Sequence, residues 1–307
     1  MMQPHLPLIE QALWTALWVF LALLYGLMLN GLIRKVVGRI QGRVGPPIWQ
    51  PVIDLLMQMF VRTSTFHGIM FFLAPVFRAV GGIGILVFMP IVVGVPILEN
   101  FAASGDLLLI MYFFFFGQLG MALGAGEGGH PYSPIGISRG LSQMTAFELP
   151  FGLAMIAIAA HSGTFSLSGI VAAQQGGVMH WYIFQNPLAG IAAFLALIAM
   201  NMYSPFNVVG APQEIPVGPR TEYNAQFLSL MMSGVSVFTV AKCILFMNLF
   251  LGGTTTIAGF LVKTFIVYFW TVFVGAVFPR FRVEQSIRFL LKWPALIGVA
   301  GVALVLA

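Results

Sequence analysis

Charge is what this sequence has least of. Of its 307 residues only 7% are Asp, Glu, Lys or Arg, while 59% are hydrophobic. Soluble globular domains carry about 25% charged residues, so this inventory cannot cover a water-facing surface. Most of the surface must lie in lipid or against partner membrane subunits. Cysteine is nearly absent: Cys243 stands alone inside an apolar run. Iron–sulfur clusters and tetrathiolate zinc need several thiolates, which excludes a cluster held by this chain alone, and a lone cysteine excludes an internal disulfide. Met1–Glu10 has no Lys or Arg ahead of the first apolar stretch. A secretory signal needs a basic leading region, so the first span is expected to be retained. There is no P-loop, no nucleotide-binding glycine fingerprint and no Ser/His/Asp arrangement. His130, His161 and His180 fall in loops without the convergent spacing of a metal site.

What is abundant is apolar length. A membrane-spanning helix needs about 20 apolar residues, and eight stretches qualify: roughly 11–33, 70–98, 106–125, 141–161, 188–206, 227–250, 256–279 and 293–307. The last is short, and the second is long enough to tilt or kink. The expected fold class is therefore all-α: a single integral membrane domain over residues 1–307. The net charge of +5 does not point to nucleic acid, because the basic residues sit between apolar runs. Arg34, Lys35, Arg39, Arg43 and Arg62 follow the first span, Arg139 the third and Arg220 the fifth. Arg280, Arg282, Arg288 and Lys292 follow the seventh. The alternate loops, around 99–105, 162–187 and 251–255, have no Lys or Arg. This segregation predicts a multi-pass protein of the cytoplasmic membrane with basic loops inside and both termini outside. Trp181 and Tyr182, in the long outer loop, suit an interfacial belt.

One segment reads differently. Between residues 48 and 62, Gln50, Asp54, Gln58 and Arg62 recur every four residues among Trp49, Ile53, Leu56 and Phe60. A polar stripe on a short apolar helix predicts an amphipathic helix lying in the cytoplasmic interface.

Ionisable residues inside apolar runs are costly and so demand a reason. Glu148 falls seven residues into the fourth span, with Pro150 two residues later. A carboxylate beside a proline, which removes a backbone donor, suits a proton relay; a structural hydrogen bond between helices is the plainer reading. Lys242 and Lys263 lie in spans that run in opposite directions and are expected at similar depth in the outer half, where they could approach each other on an ion path or each reach the outer interface. Arg78, near the start of the second span, is explained by its long stem reaching the interface.

Four segments together carry a family resemblance. The first is Arg34-Lys35-Val36-Val37-Gly38-Arg39-Ile40-Gln41-Gly42-Arg43-Val44-Gly45-Pro46-Pro47, followed by Gln50-Pro51 and Asp54-Leu55-Leu56. The second is Arg139-Gly140-Leu141-Ser142-Gln143 through Phe147-Glu148, and the third Gln213-Glu214-Ile215-Pro216 through Arg220-Thr221-Glu222-Tyr223. The fourth is Pro279-Arg280-Phe281-Arg282-Val283-Glu284-Gln285, with Lys292-Trp293 after it. In this order the chain resembles subunit 1 of respiratory complex I and its relatives in membrane-bound [NiFe] hydrogenases. The resemblance implies an anchor subunit on which a peripheral electron-transfer arm sits. It implies partners of three kinds: cluster-bearing and hydrogenase-like peripheral subunits, antiporter-like membrane subunits, and the lipid bilayer. Fe–S clusters, and in the hydrogenase branch a nickel–iron centre, belong to those partners. By the same resemblance, Glu148, Glu214 and Glu222 match coupling carboxylates, Asp54 matches the aspartate of the interfacial helix, and Arg280, Arg282 and Glu284 match the basic loop before the last span. Arg34, Arg39, Arg43, Gln50, Asp54, Arg139, Arg280, Arg282 and Glu284 are the expected docking set for the arm.

The departures are informative. Where the complex I form of the third loop is strongly acidic, this chain has Asn207, Val209, Gly210 and Pro212. That argues against quinone reduction and toward the hydrogenase or ferredoxin-linked branch, which couples electron transfer to H⁺ or Na⁺ translocation. The other readings are a quinone-binding complex I subunit, a stand-alone transporter, and a purely structural anchor.

Overall fold

The computed structural model describes residues 7–63, 67–211, 214–215 and 217–306. Met1–Leu6, and Pro212, Gln213 and Pro216 of the third motif, lie outside the described residues. Among those described there are eleven α-helices and no strand: α1 Leu8–Ile40, α2 Gln50–Met59, α3 Ile69–Val87, α4 Leu107–Gly126, α5 Tyr132–Ser162, α6 Leu167–Ala173, α7 Tyr182–Gln185, α8 Pro187–Met200, α9 Ala225–Phe250, α10 Ile257–Val277 and α11 Val283–Leu306. Helices are the expected solution, because an apolar segment in lipid must satisfy its own backbone.

Seven of these helices are long and apolar enough to span a membrane: α1, α3, α4, α5, α9, α10 and α11. The expected fifth span is instead the 14-residue α8. It stops at Met200 because the chain turns there, with Met202 at φ 54° and Pro205 three residues on. At 1.5 Å per residue α8 covers about 21 Å, short of the roughly 30 Å hydrocarbon layer. The second span is also shorter than expected. It ends at Val87 and gives way to loops containing the turns Pro96–Leu98 and Ala102–Ser104.

Two helices begin earlier than hydropathy suggests. α5 starts at Tyr132, so Arg139 lies on it rather than in a loop, and Glu148 is sixteen residues from its start rather than seven. α11 starts at Val283, which puts Arg288 and Lys292 on the helix. Both leading segments are polar, and polar residues that project a helix beyond the bilayer resemble loop on a hydropathy scale. α1 likewise carries Arg34, Lys35 and Arg39 on its last two turns. Gly42 and Gly45, both at positive φ, then fold the chain back so closely that a Cβ on Gly31 would collide with Ile48 O.

α9 is the central element, enclosed on nearly every side, whereas α1 and α10 turn large apolar faces outward through Leu13, Phe20, Leu261, Val262, Ile266 and Trp270. α3 and α4 pack against each other at glycines: a Cβ on Gly81 would stand 2.6 Å from Gly117 Cα. Close approach at small residues is the usual way membrane helices gain van der Waals contact. The expected interfacial helix is α2. It buries Pro51 and Leu55 and exposes Ile53, Leu56, Met57 and Met59. Its polar residues Gln50, Asp54 and Gln58 are half-buried, so the apolar side is the more exposed one.

Candidate functional site

The basic end of the bundle is organised by the segment between α8 and α9. Glu214 in this segment bridges two arginines. Arg139 Nη1 on α5 donates to Oε2 at 2.6 Å, and Arg280 Nη2, between α10 and α11, donates to Oε1 at 2.6 Å. The Arg139 hydrogen bond, and then the nearby charges of Arg280 and Arg282, hold the Glu214 pKa below the ordinary glutamate value. Both flanks of the segment are fixed as well. Gln143 Nε2 donates to Phe206 O at 2.7 Å, and Phe281 N donates to Pro205 O at 2.8 Å. Gly136 approaches Pro219 so closely that a Cβ there would lie 2.8 Å from its Cδ. The loop is thus clamped between α5 and the start of α11.

Around the clamp opens a cleft of about 520 Å³ lined by Arg139, Glu214, Arg280, Arg282, Glu284 and Arg288. Four guanidinium groups face two carboxylates, one of which is already committed to the clamp. Its net character is cationic, the kind of surface that steers and registers an acidic partner.

The other expected docking residues do not join this cleft. Arg34 and Arg39 at the end of α1, and Arg43 in the turn after it, are exposed. On α2, Gln50 Nε2 donates to Asp54 Oδ1 at 2.7 Å, a local pair one helical turn apart. Glu222 belongs to a separate group beneath α3. His67 Nε2 lies 3.3 Å from its Oε2, and Glu127 Oε2 accepts from Phe71 N at 2.8 Å. Tyr223 stacks on Phe71 with ring centroids 4.1 Å apart and donates to Phe71 O at 3.0 Å. Burial, then the charges of Glu127 and Glu222, raise the Tyr223 pKa, so its hydroxyl stays a donor through the physiological range.

Glu148 is half-buried on α5 in a narrow apolar niche formed by Ile110, Met111, Phe114, Phe151, Met155, Met200 and Leu245. Among the described residues it has no ion pair. Pro150 removes the backbone donor that Ala146 O would otherwise receive.

The two lysines each have their own carbonyl partners. Lys242 Nζ donates to Met200 O at 2.8 Å, at the C-terminal end of α8. Lys263 Nζ donates to Leu251 O at 2.7 Å and Gly253 O at 2.6 Å, and lies 4.1 Å over the Trp181 ring. Lys242 lines a cavity that residues of the loop between α8 and α9 also line, whereas Lys263 reaches the turn at Leu251 and Gly253, so the two ammonium groups contact different parts of the fold. Tyr182 is not an interfacial anchor: it is 2% exposed and packs edge-on against His161.

Sequence reasoning misplaced Arg78. It does not reach the interface but is 3% exposed, donating from Nη1 to Gln118 Oε1 at 2.6 Å with its guanidinium 4.5 Å over Phe238. The available signal was an arginine nine residues into an apolar helix facing a glutamine in the next one. His67 was missed, since its partner Glu222 is distant in sequence. No group of three or more His, Cys, Asp or Glu among the described residues could hold a metal.

Among the described residues, seven long apolar helices, a cationic cleft at one end and isolated ionisable groups in the interior define a polytopic α-helical membrane protein. The chain belongs to the NADH dehydrogenase family, which it matches over residues 13–306. It is similar to an NADH-quinone oxidoreductase subunit of Protochlamydia amoebophila (strain UWE25), 33% identical over 192 residues that cover 61% of this chain and 58% of that one. It is similar also to the corresponding NADH-quinone oxidoreductase subunit of Carboxydothermus hydrogenoformans, 32% identical over 183 residues, 56% of this chain and 51% of that one. The chain thus spans 51% to 58% of the length of these curated relatives. Among solved structures it resembles a chain of the membrane-bound sulfane sulfur reductase, an archaeal respiratory membrane complex. That match has a TM-score of 0.90 and 36% identity, and covers 96% of this chain and 99% of that one.

Proposed function

We propose that this chain is the membrane anchor of an ion-translocating redox complex of the sulfane sulfur reductase and hydrogenase type. It seats a cluster-bearing peripheral arm on the cleft around Glu214 and passes the arm's charge or conformational change toward neighbouring antiporter-like subunits. The single observation that carries this reading is the Arg139–Glu214–Arg280 clamp. It fixes the connecting loop at the mouth of the cationic cleft and ties that loop to α5, the helix that bears Glu148.

In this reading Glu214 and Glu222 respond to the arm, Glu148 carries the response into the bilayer, and H⁺ or Na⁺ moves through the neighbouring subunits. A local charge change acting on a two-state element is the minimum such coupling needs. In this reading the redox centres, Fe–S clusters and a nickel–iron or derived centre, belong to the arm. The basic loops face the cytoplasm and both termini lie outside. A quinone-reducing role has support in the names of the curated relatives, but Asn207, Val209 and Gly210 stand where the complex I loop is acidic, which favours the other branch.

The test is purification of the chain with its partners from native membranes in mild detergent, with metal and activity analysis. Co-purification of iron-bearing soluble subunits and antiporter-like proteins supports the reading. Flavin with bound quinone moves the chain to the NADH-linked branch, and a metal-free chain without partners overturns the anchor role.

A further inference from the structure

A second cavity, of about 310 Å³, lies between the clamped loop and the helix core, and the function proposed above makes no use of it. α1 contributes Asn30 to its wall, α3 Arg78, the end of α8 Met200, the loop Asn207 and Arg220, and α9 Lys242. Among the described residues, three basic side chains line it and no carboxylate does. Arg78 and Lys242 are 3% and 4% exposed. None of the ion pairs among the described residues involves Arg78, Arg220 or Lys242.

Their neutral contacts leave donors over. Gln118 and the Phe238 face serve part of the Arg78 guanidinium, yet its Nε is buried without a partner. Lys242 gives one of its three donors to Met200 O. Asn201, which also lines the cavity, has both Oδ1 and Nδ2 buried without partners. Arg78, Arg220 and Lys242 line the same space, which gathers basic side chains from α3, the loop and α9. Buried charge is tolerated when it is paired and hydrogen-bonded, and nothing in this wall supplies the opposite sign. Of the remaining lining, Met121, Met202, Val209, Val217 and Val235 are apolar, while the Thr239 hydroxyl donates to Val235 O at 2.9 Å and the Tyr203 hydroxyl is engaged with that of Tyr268 at 2.6 Å. This lining offers few partners to the outer oxygens of sulfate or phosphate and suits a weakly hydrated, polarisable ion.

We infer that this cavity is a binding site for a small, singly charged inorganic anion of the halide class, held between Arg78, Arg220 and Lys242. Such an ion ties the underside of the 207–220 stretch to α3 and α9, so its binding holds the loop from below while the Glu214 clamp holds it from above.

The purified complex, exchanged into gluconate, can be titrated with chloride and followed by ³⁵Cl NMR line broadening, with bromide as competitor. A saturable component is expected in the wild type, and Lys242→Met should weaken it by about tenfold or more. Bromide-soaked wild-type crystals should show an anomalous peak in this cavity, a readout that stands even where the variant fails to assemble. Identical saturable broadening in the variant, absence of the bromide peak, or a quinone in the cavity would each overturn the inference. None of these bears on the docking role, which rests on co-purification of the arm.

Discussion

At the scale of single residues, the expected acids and bases divide into three environments. Glu214 is solvent-accessible and doubly paired, Glu222 sits with His67 under α3, and Glu148 is isolated among apolar side chains. The first has a worked pH consequence. Because Arg139 and Arg280 depress its folded pKa, the clamp contributes fully above the ordinary glutamate pKa of about 4.3. It is lost as pH falls through the lower folded value. Arm retention should therefore be flat from neutral to mildly acidic pH and fail only below the usual carboxylate range; a sedimentation assay of arm release against pH reads this directly. For Glu148, Gln replacement should leave assembly and electron transfer intact while ion translocation in proteoliposomes drops to roughly a tenth or less, as expected for an intramembrane carboxylate in a relay. Unchanged pumping by an assembled E148Q complex would remove Glu148 from the route. Residues of this kind were legible in the sequence because charge is so scarce that each instance stands out. Their partners were not: Arg78 with Gln118, and His67 with Glu222, are contacts between segments far apart in the chain.

At the scale of elements, hydropathy located the helices but not all of their ends. The apolar middles of α1, α3, α4, α9 and α10 were readable because a bilayer imposes a minimum apolar length. The polar starts of α5 and α11 were not, since a helix leaving the bilayer needs no apolar face. α8 was drawn too long, to residue 206, because apolar residues continue past its end at Met200, through Tyr203 and Phe206 in the turn. The α3–α4 contact gives a stability test. Gly81→Ala places a methyl 2.6 Å from the Gly117 backbone, with little room on either helix to give way. Overpacking of this kind costs about 1–3 kcal/mol, and the purified complex should melt at a correspondingly lower temperature. An unchanged melting temperature would mean the helices part without cost.

At the scale of the whole molecule, Lys263 lies at one end of the bundle, while most of the basic residues lie at the other, which carries the loop between α8 and α9. They form more than one surface there: a pre-organised cleft around Glu214, and exposed arginines on α1 and in the turn after it. Contacts made by exposed charges are screened as ionic strength rises, with a Debye length of about 10 Å at 0.1 M and about 3 Å at 1 M. Washing membranes with 1 M salt should therefore release part of the arm, and Arg34→Gln combined with Arg39→Gln should lower the salt concentration needed. Salt-insensitive retention in both forms would assign docking to apolar contact instead.

The unbroken run of α5 from Arg139 to Glu148 has a mechanical consequence. Nine residues are about two and a half helical turns, so the two side chains leave the rod on opposite sides, near its base and its middle. No bucket brigade along one face can join them. In the proposed coupling, a pull on the clamp would reach the carboxylate by rolling or tilting the rod as one piece. A single alanine inserted between positions 140 and 147 would swing one end by about 100° relative to the other, leaving both groups present and the crankshaft out of phase.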